Sequence, residues 1–388
     1  MADVIAARRV AGNPFWQRGQ VGASLTAARY ARSLRAVSQN VQPQDVIPVT
    51  DRHRFDEAAL ARYLEQNLEG YRGPLQVLQF AGGQSNPTFF LTEGGRSLVL
   101  RKKPPGQLLP SAHAVDREYR AMRALGTTDF PVPRVHLLCE DPSVIGQIFY
   151  VMDWVPGRIL RDPLLPGMEP AERRAIYDAM NAAMAHLHTI DPFAIGLGEF
   201  GKPVNYFDRQ IARWIKQYEA SKTEVIESFD RLIEWLPKSI PAGDETRIAH
   251  GDFRLENMVL HPTEPRVLAV LDWELSTLGH PLADLGYNVM GYFTPLGQPQ
   301  RLAGSDLEAL GIPSIDEYVA AYCRRTGRER VVNLEFYVVF ALFRSAAIMQ
   351  GIAMRAKIGT ASAANAEIVG KLARTIADAA WDLVERSQ

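Results

Sequence analysis

The apolar residues of this 388-residue chain change their period once, near Pro156-Gly157, and that change limits the fold more than any other feature. Before it, residues 75–80, 88–92 and 97–102 alternate or are rich in β-formers, with Gly82-Gly83 and Glu93-Gly94-Gly95 between them. Alternation broken by glycine turns is the pattern of an antiparallel meander. Residues 114–125 have helical spacing, and 134–139 and 147–154 read as two further strands about the turn Asp141-Pro142-Ser143. A helix patterned by Phe55, Leu60, Tyr63, Leu64 and Leu68 and closed by Gly70 precedes them.

After the change, long 3.6-period patterns take over. Ile176, Met180, Met184 and Leu187 share one face, Ile211, Trp214, Ile215 and Tyr218 another, and 315–326, 334–356 and 364–386 continue the pattern. Only 248–271 interrupts with strand-like residues. The expected fold class is α+β with two lobes. Residues 51–154 form a small N-terminal antiparallel β-sheet lobe of five strands and one inserted helix, and 155–388 a larger, mostly helical C-terminal lobe. Residues 1–50 are expected to be a basic, flexible extension, with Arg8, Arg9, Arg18, Arg29, Arg32 and Arg35 against the single acid Asp3 in the first forty. That composition fits either an organellar transit peptide, which would make the protein mitochondrial, or a poorly ordered tail on a cytoplasmic protein.

Composition narrows the function classes. The net charge is -1 and the pI about 6.7, so the basic footprint that nucleic acid or an anionic membrane requires is missing. The most apolar run, 336–343, is closed by Glu335 and Arg344 and reads as a buried core helix short of a membrane span. Cys139 and Cys323 are isolated, which suggests neither a disulfide framework nor a zinc site and fits a reducing cytosol.

The chemistry concentrates in the strand-rich interruption. His250-Gly251-Asp252 is followed by Asn257, then by an apolar strand, 267–271, that ends in Asp272. Phosphoryl transfer needs a carboxylate to receive or orient the acceptor hydroxyl proton and an oxygen cage for Mg²⁺ on the triphosphate of ATP. Two aspartates and an amide at this spacing supply both, whereas each alone would pass for a turn or capping residue.

With these residues in place, the segment resembles the aminoglycoside phosphotransferase and choline kinase branch of the protein-kinase-like fold, which writes H-G-D as here. It is most similar to the phosphotransferase domain that some proteins carry ahead of an acyl-CoA dehydrogenase, and the resemblance runs from about Gly73 to about Tyr292. It implies an ATP- and magnesium-dependent small-molecule kinase with Asp252 as catalytic base, Asn257 and Asp272 holding Mg²⁺, and His250 bracing the loop. Arg254 stands where protein kinases keep a lysine that reaches the transferring phosphate; it is either that cation or a solvated surface arginine. Glu256 and Glu274 read as supporting carboxylates.

Upstream, Gly82, Gly83, Gln84, Ser85 and Asn86 join two strands, and their backbone N–H groups could cover the phosphates. Alternation puts Val99, Arg101 and Lys103 on one face of the next strand. The family's phosphate-pairing lysine aligns with Arg101, a departure, since a guanidinium is broader and planar. Lys103 could substitute by slippage, and Glu118 is the expected helix partner of the strand cation. Backbone groups near Met152 to Trp154, at the lobe junction, would bind adenine. Asp284, in Gly279-His280-Pro281-Leu282-Ala283-Asp284-Leu285, and His188 read as structural.

Eleven residues separate Asp272 from Asp284, and no A-P-E anchor is present, so the acceptor is expected to be the hydroxyl of a small molecule and not a protein. The apolar, proline-rich loop 104–113 and the resemblance to the dehydrogenase-linked group point to a hydroxyacyl-CoA or hydroxy acid, and the near-zero charge speaks against a polycationic aminoglycoside. A nucleotide-binding scaffold without turnover is the alternative.

Overall fold

The computed structural model describes residues 43, 45–81, 86–104, 114–294, 301–359 and 366–387. Most of the expected N-terminal extension, Gly82, Gly83, Gln84 and Ser85 of the expected phosphate loop, and most of the loop 104–113 lie outside the described residues.

The N-terminal lobe is built on a sheet whose strand order is β1-β2-β3-β4-β6-β5, from β1 (Val46–Ile47), β2 (Gln76–Phe80), β3 (Thr88–Glu93), β4 (Arg96–Lys102), β5 (Val135–Cys139) and β6 (Phe149–Asp153). Every pairing is antiparallel. Five of these strands match the sequence expectation. β1 does not: residues 46–47, expected in the extension, pair with Phe80 and Gln79 and extend the sheet at its edge. Two residues are too few to show alternation.

The period-2 register decides which side chains meet the cleft. Leu98 and Leu100 of β4 join an outer cluster with Phe89, Phe149 and Val151, covered by Leu60 and Leu64 of α1 (Glu57–Asn67). α1 starts at Asp56, whose carboxylate accepts the Ala59 N–H at 2.9 Å. Val99, between Leu98 and Leu100, belongs to the inner cluster with Tyr150, Met152 and Met122 of α2 (Val115–Leu125). Arg101, two residues on, therefore looks toward α2 and the second lobe.

The second lobe is mostly helical: α3 (Pro170–Thr189), α4 (Tyr206–Ser221), α5 (Glu227–Trp235), α6 (Pro281–Val289), α7 (Ile315–Thr326), α8 (Leu334–Lys357) and α9 (Ala366–Ser387). Two antiparallel ribbons lie among them, β7 (Arg247–Ala249) with β10 (Thr277–Gly279), and β8 (Met258–Leu260) with β9 (Val267–Val270). α8 is longer than the apolar run that announced it. Its length and a mean hydropathy of 1.6 would suffice to cross a membrane, but 67% of that stretch is buried, against α4, α6 and α9. It is the central core helix. Where it crosses α6 the backbones nearly touch: a Cβ on Gly286 would lie 2.4 Å from the Tyr337 carbonyl.

Candidate active site

β7 ends at Ala249, and the chain turns through His250-Gly251-Asp252 and a 3-10 turn, Leu255–Asn257, into β8. Gly251 makes the turn possible. Its φ is +83°, and a Cβ there would sit 2.9 Å from the Leu275 carbonyl. The freed backbone groups find partners on one face of α6. Asp284 accepts the N–H of His250 at 2.6 Å and of Gly251 at 2.8 Å, and Asn288 donates to the Phe253 carbonyl at 2.9 Å. The Tyr287 hydroxyl donates a short hydrogen bond to Asp252 Oδ1. Positions i, i+3 and i+4 of one helix thus hold four successive residues of the loop. From the far side, Arg344 of α8 donates to the Gly251 carbonyl at 2.7 Å, with its guanidinium over the Tyr287 ring.

Both carboxylate oxygens of Asp252 are engaged. Asn257 Nδ2 donates to Oδ2 at 2.8 Å, and Arg254 Nε lies 3.3 Å from Oδ1 while its Nη1 pairs with Glu256 at 2.9 Å. Arg254 is therefore fastened to the 250–257 loop by two carboxylates instead of being a solvated surface cation. Burial works against its charge, but Tyr287 and the carboxylates of Asp252, Glu256 and Asp272 raise its pKa. Tyr287 is raised as well, by burial first and then by the Asp252 charge, so it stays a donor.

Asp284 lies deep beneath the loop, as a structural residue should. Burial pushes its pKa up, yet the hydrogen bond from His188, the histidines at 188 and 250, and the Gly251 N–H outweigh that and hold it low. His188 also meets the Tyr322 hydroxyl at 2.8 Å, so it is a satisfied core histidine. His250 joins the two halves of the site: its Nδ1 accepts the Asp252 N–H at 3.2 Å, and Nε2 faces the Leu271 carbonyl at 2.9 Å. The Leu271 N–H in turn donates to the Asn257 carbonyl at 2.8 Å.

Asp272 follows β9 in the left-handed region, φ 65°, ψ 59°, which aspartate tolerates better than most residues. Arg101 Nη2 reaches its Oδ1 at 2.6 Å, Glu118 Oε2 lies 3.3 Å from Arg101 Nε, and Glu274 is 3.9 Å from Nη2. Arg101 is thus the strand cation, paired with Glu118 as expected. Lys103 lies past the end of β4 and pairs with Asp116 at 3.7 Å, so the slippage alternative is overturned. Lys102 points to the other face, over the Phe55 ring. Glu118 is fully buried and pushed up to about 7, by burial foremost and by Asp272 and Glu274, against the pull of Arg101 and the Tyr150 hydroxyl.

The Asn86 side chain is buried with its amide committed to carboxylates, Nδ2 donating to Glu118 at 3.0 Å and to Glu274 at 3.1 Å, so only its backbone N–H is left for the role expected of the loop. At the lobe junction, Met152 and Trp154 do line a cleft of about 340 Å³ together with Val99, Met122, Asn257 and Asp272. However, the Asp153 N–H donates to the Arg134 carbonyl at 2.8 Å and the Trp154 N–H to the Ser97 carbonyl at 3.3 Å. A ligand there must be read by carbonyls of this stretch or by groups from Val155 onward.

The cleft has the size of a small-ligand site, and its lining combines apolar side chains with Asn257 and Asp272. Asn257 and Asp272 offer oxygen donors of the kind that suits a hard cation such as Mg²⁺, and Glu118, Asp272 and Glu274 offer oxygens within 4.8 Å of one another. Sequence reasoning missed Tyr287 and Arg344. The signal for Tyr287 was present, since Asp284, Tyr287 and Asn288 are the polar i, i+3, i+4 face of an otherwise apolar helix. Arg344 carried none beyond its place at the end of an apolar run.

Residues 76–331 match the phosphotransferase enzyme family. The chain is 44% identical over 364 residues to acyl-CoA dehydrogenase family member 10 of Mus musculus, covering 93% of this chain and 34% of that protein. It spans 45% of the length of acyl-CoA dehydrogenase family member 11 of Homo sapiens, at 43% identity over 349 residues and 88% of this chain. Among solved structures, a provisional aminoglycoside phosphotransferase from Ralstonia eutropha superposes with a TM-score of 0.79 at 52% identity, over 86% of this chain and 99% of that one. Choline kinase from Cryptosporidium parvum shares the fold at 13% identity, with a TM-score of 0.61 over 86% of this chain and 97% of its own.

Proposed function

The chain belongs to the phosphotransferase enzyme family, and on that premise we propose that it moves the γ-phosphate of ATP to the hydroxyl of a small molecule. The observation that carries this reading is that Asn257 and Asp272 both line the interlobe cleft while Asn257 holds the Asp252 carboxylate at 2.8 Å. A nucleotide in the cleft would place its phosphates toward Asp272 and Arg101, and an acceptor hydroxyl would approach Asp252 from the opposite side. Asp252 orients that hydroxyl and takes its proton, while Tyr287 and Asn257 fix the carboxylate. Arg254 adds positive charge beside the point of transfer. Asn257 and Asp272 would hold Mg²⁺, which when bound neutralises charge on the phosphates.

The acceptor side favours an anion. A small recess beside the 250–257 loop, about 40 Å³, is lined by Arg161, Arg254 and Glu256 together with Tyr177, Asn288 and Leu302. Glu256 is paired with Arg254, which leaves Arg161 as the cation that would attract the carboxylate of a hydroxy acid or the phosphates of a hydroxyacyl-CoA at its rim. The names of the relatives, acyl-CoA dehydrogenase family members, support an acyl acceptor. One observation favours a second reading, a nucleotide-binding scaffold without turnover: arginine replaces the usual lysine at position 101 and pairs with Asp272 itself.

An ATP-consumption screen over hydroxyacyl-CoAs, free hydroxy acids, sugars, aminoglycosides and choline separates the two. Magnesium-dependent turnover confined to anionic hydroxy compounds is the expected result. ATP binding with no turnover on any of them would favour the scaffold, and turnover of choline or aminoglycosides would overturn the acceptor class.

A further inference from the structure

Across Met122 from the interlobe cleft lies a second cavity, of about 560 Å³ against the cleft's 340 Å³, and no residue assigned to phosphoryl transfer lines it. Its volume is that of a small-ligand site. Both lobes build it: α2 and the connection to β5 supply Met122, Arg123, Phe130 and Arg134, and the entry to β9 supplies Arg266 and Val267. Met122, Phe130 and Val132 are buried and give it an apolar floor. Its rim is cationic. Arg266 is taken by Glu264 at 3.0 Å, and the acid in the lining, Asp129, by His186 at 3.0 Å. Arg123 and Arg134 are exposed and pair with no carboxylate among the described residues. Two unneutralised guanidiniums over an apolar floor suit a ligand with an apolar body and an anionic head.

The wall of this cavity is also bonded to the cleft. The Pro131 carbonyl accepts the Val270 N–H at 2.8 Å, two residues before Asp272, and the Arg134 carbonyl accepts the Asp153 N–H at 2.8 Å, at the lobe junction. Phe130 meets the Trp273 ring edge-on at 5.9 Å, and Trp273 lies 4.6 Å from the His250 ring. A ligand that presses on residues 130–134 therefore bears at once on the lobe junction and on the segment that carries Asp272.

We propose that this cavity is a second ligand site, for a small amphipathic anion with an apolar body and a carboxylate or phosphate head, and that filling it changes the affinity of the cleft for nucleotide. The site stands independently of the phosphotransferase reading; the coupling rests on the cleft being the nucleotide site. By linkage the coupling is reciprocal, so nucleotide changes the affinity for the anion by the same factor.

The probe is anilinonaphthalene sulfonate, an aromatic body with one anionic group whose fluorescence rises in an apolar site. It is titrated into the full chain, with octanoate, octyl phosphate and uncharged octanol as competitors. The proteins are wild type, Arg123→Ala with Arg134→Ala, and a control, Arg324→Ala with Arg330→Ala, that removes two exposed arginines outside the lining. Far-UV circular dichroism checks their folding, and if the first pair does not fold, Arg123→Gln with Arg134→Gln takes its place. The wild type should release the probe to octanoate or octyl phosphate at concentrations about tenfold or more below those needed of octanol, and the anion that acts at the lower concentration carries the head group the site selects. Arg123→Ala with Arg134→Ala should weaken probe binding about tenfold or more, the scale of a lost hydrogen bond to a charged group, and the control pair should not. Octanol as effective as the anions, or the same affinity for the probe in both double variants, would overturn the site. The tighter anion at saturation should shift the calorimetric Kd for Mg·ADP by about fivefold or more in the wild type and leave it unshifted in Arg123→Ala with Arg134→Ala. An unshifted wild-type Kd would overturn the coupling. A wild type that binds the anion but no Mg·ADP would refute the nucleotide reading and the coupling with it, and leave the site standing.

Discussion

Asp252 is a carboxylate whose oxygens are fixed by three neighbours, of which Asn257 and Arg254 are local in the chain and Tyr287 is not. D-x-x-x-x-N puts Asn257 on the same short turn, where its amide reaches back to the Asp252 carbonyl and Oδ2. Tyr287 arrives from α6, 35 residues on, and Arg344 from α8, 93 residues after Gly251; such contacts depend on how helices pack and leave no local pattern. Asn86 was named for its backbone N–H alone; its side chain is buried between two carboxylates by tertiary packing, for which there was no local signal. If Tyr287 positions the base, Tyr287→Phe should leave KM for ATP unchanged and lower kcat about tenfold, the scale of one hydrogen bond to a charged group. An unchanged kcat would mean that Asn257 and Arg254 suffice.

Elements were the most legible scale. Alternation in β4 correctly placed Val99 and Arg101 on the cleft side, and the 3.6 period found α1 to α4 and α7 to α9 but not α5 or α6. What alternation could not show was β1, two residues long, whereas the helical pattern over 334–356 gave α8 to within one residue. α6 also carries a titratable start. The His280 ring accepts the Leu282 N–H at 3.3 Å as the helix N-cap, and burial foremost, with Arg328 and His188 adding to it, lowers its pKa to about 4. A histidine whose folded-state pKa is depressed binds its proton more readily when unfolded. The stability it contributes is full above about pH 6.5 and is lost as pH falls toward about 4. His280→Asn keeps a capping acceptor without a titrating ring. Urea unfolding should show the stability difference between wild type and His280→Asn shifting by on the order of 2 kcal/mol between pH 7 and pH 4.5. A difference independent of pH would show that the ring does not titrate there.

At the scale of the molecule, the single change of period near Pro156-Gly157 foretold two lobes, and the site lies where they meet: Arg101, Glu118 and the cleft wall from the first, the catalytic loop and Asp272 from the second. His250 and the Leu271 N–H tie the 250–257 loop to the segment that carries Asp272, and the Arg101–Asp272 pair ties that lobe to the sheet. The recess proposed for the acceptor was less legible, because Arg161 and Arg254, which line it, are distant in sequence and meet only in the fold. The central claim is that this junction is a magnesium–nucleotide site built on Asp272. It is tested most directly by thermal unfolding with and without Mg·ATP, comparing wild type with Asp272→Ala. At about a hundred times its Kd, bound nucleotide stabilises a protein by roughly 2.7 kcal/mol, so the wild-type Tm should rise by several degrees. Asp272→Ala should show no magnesium-dependent rise. An equal rise in both proteins would contradict the account.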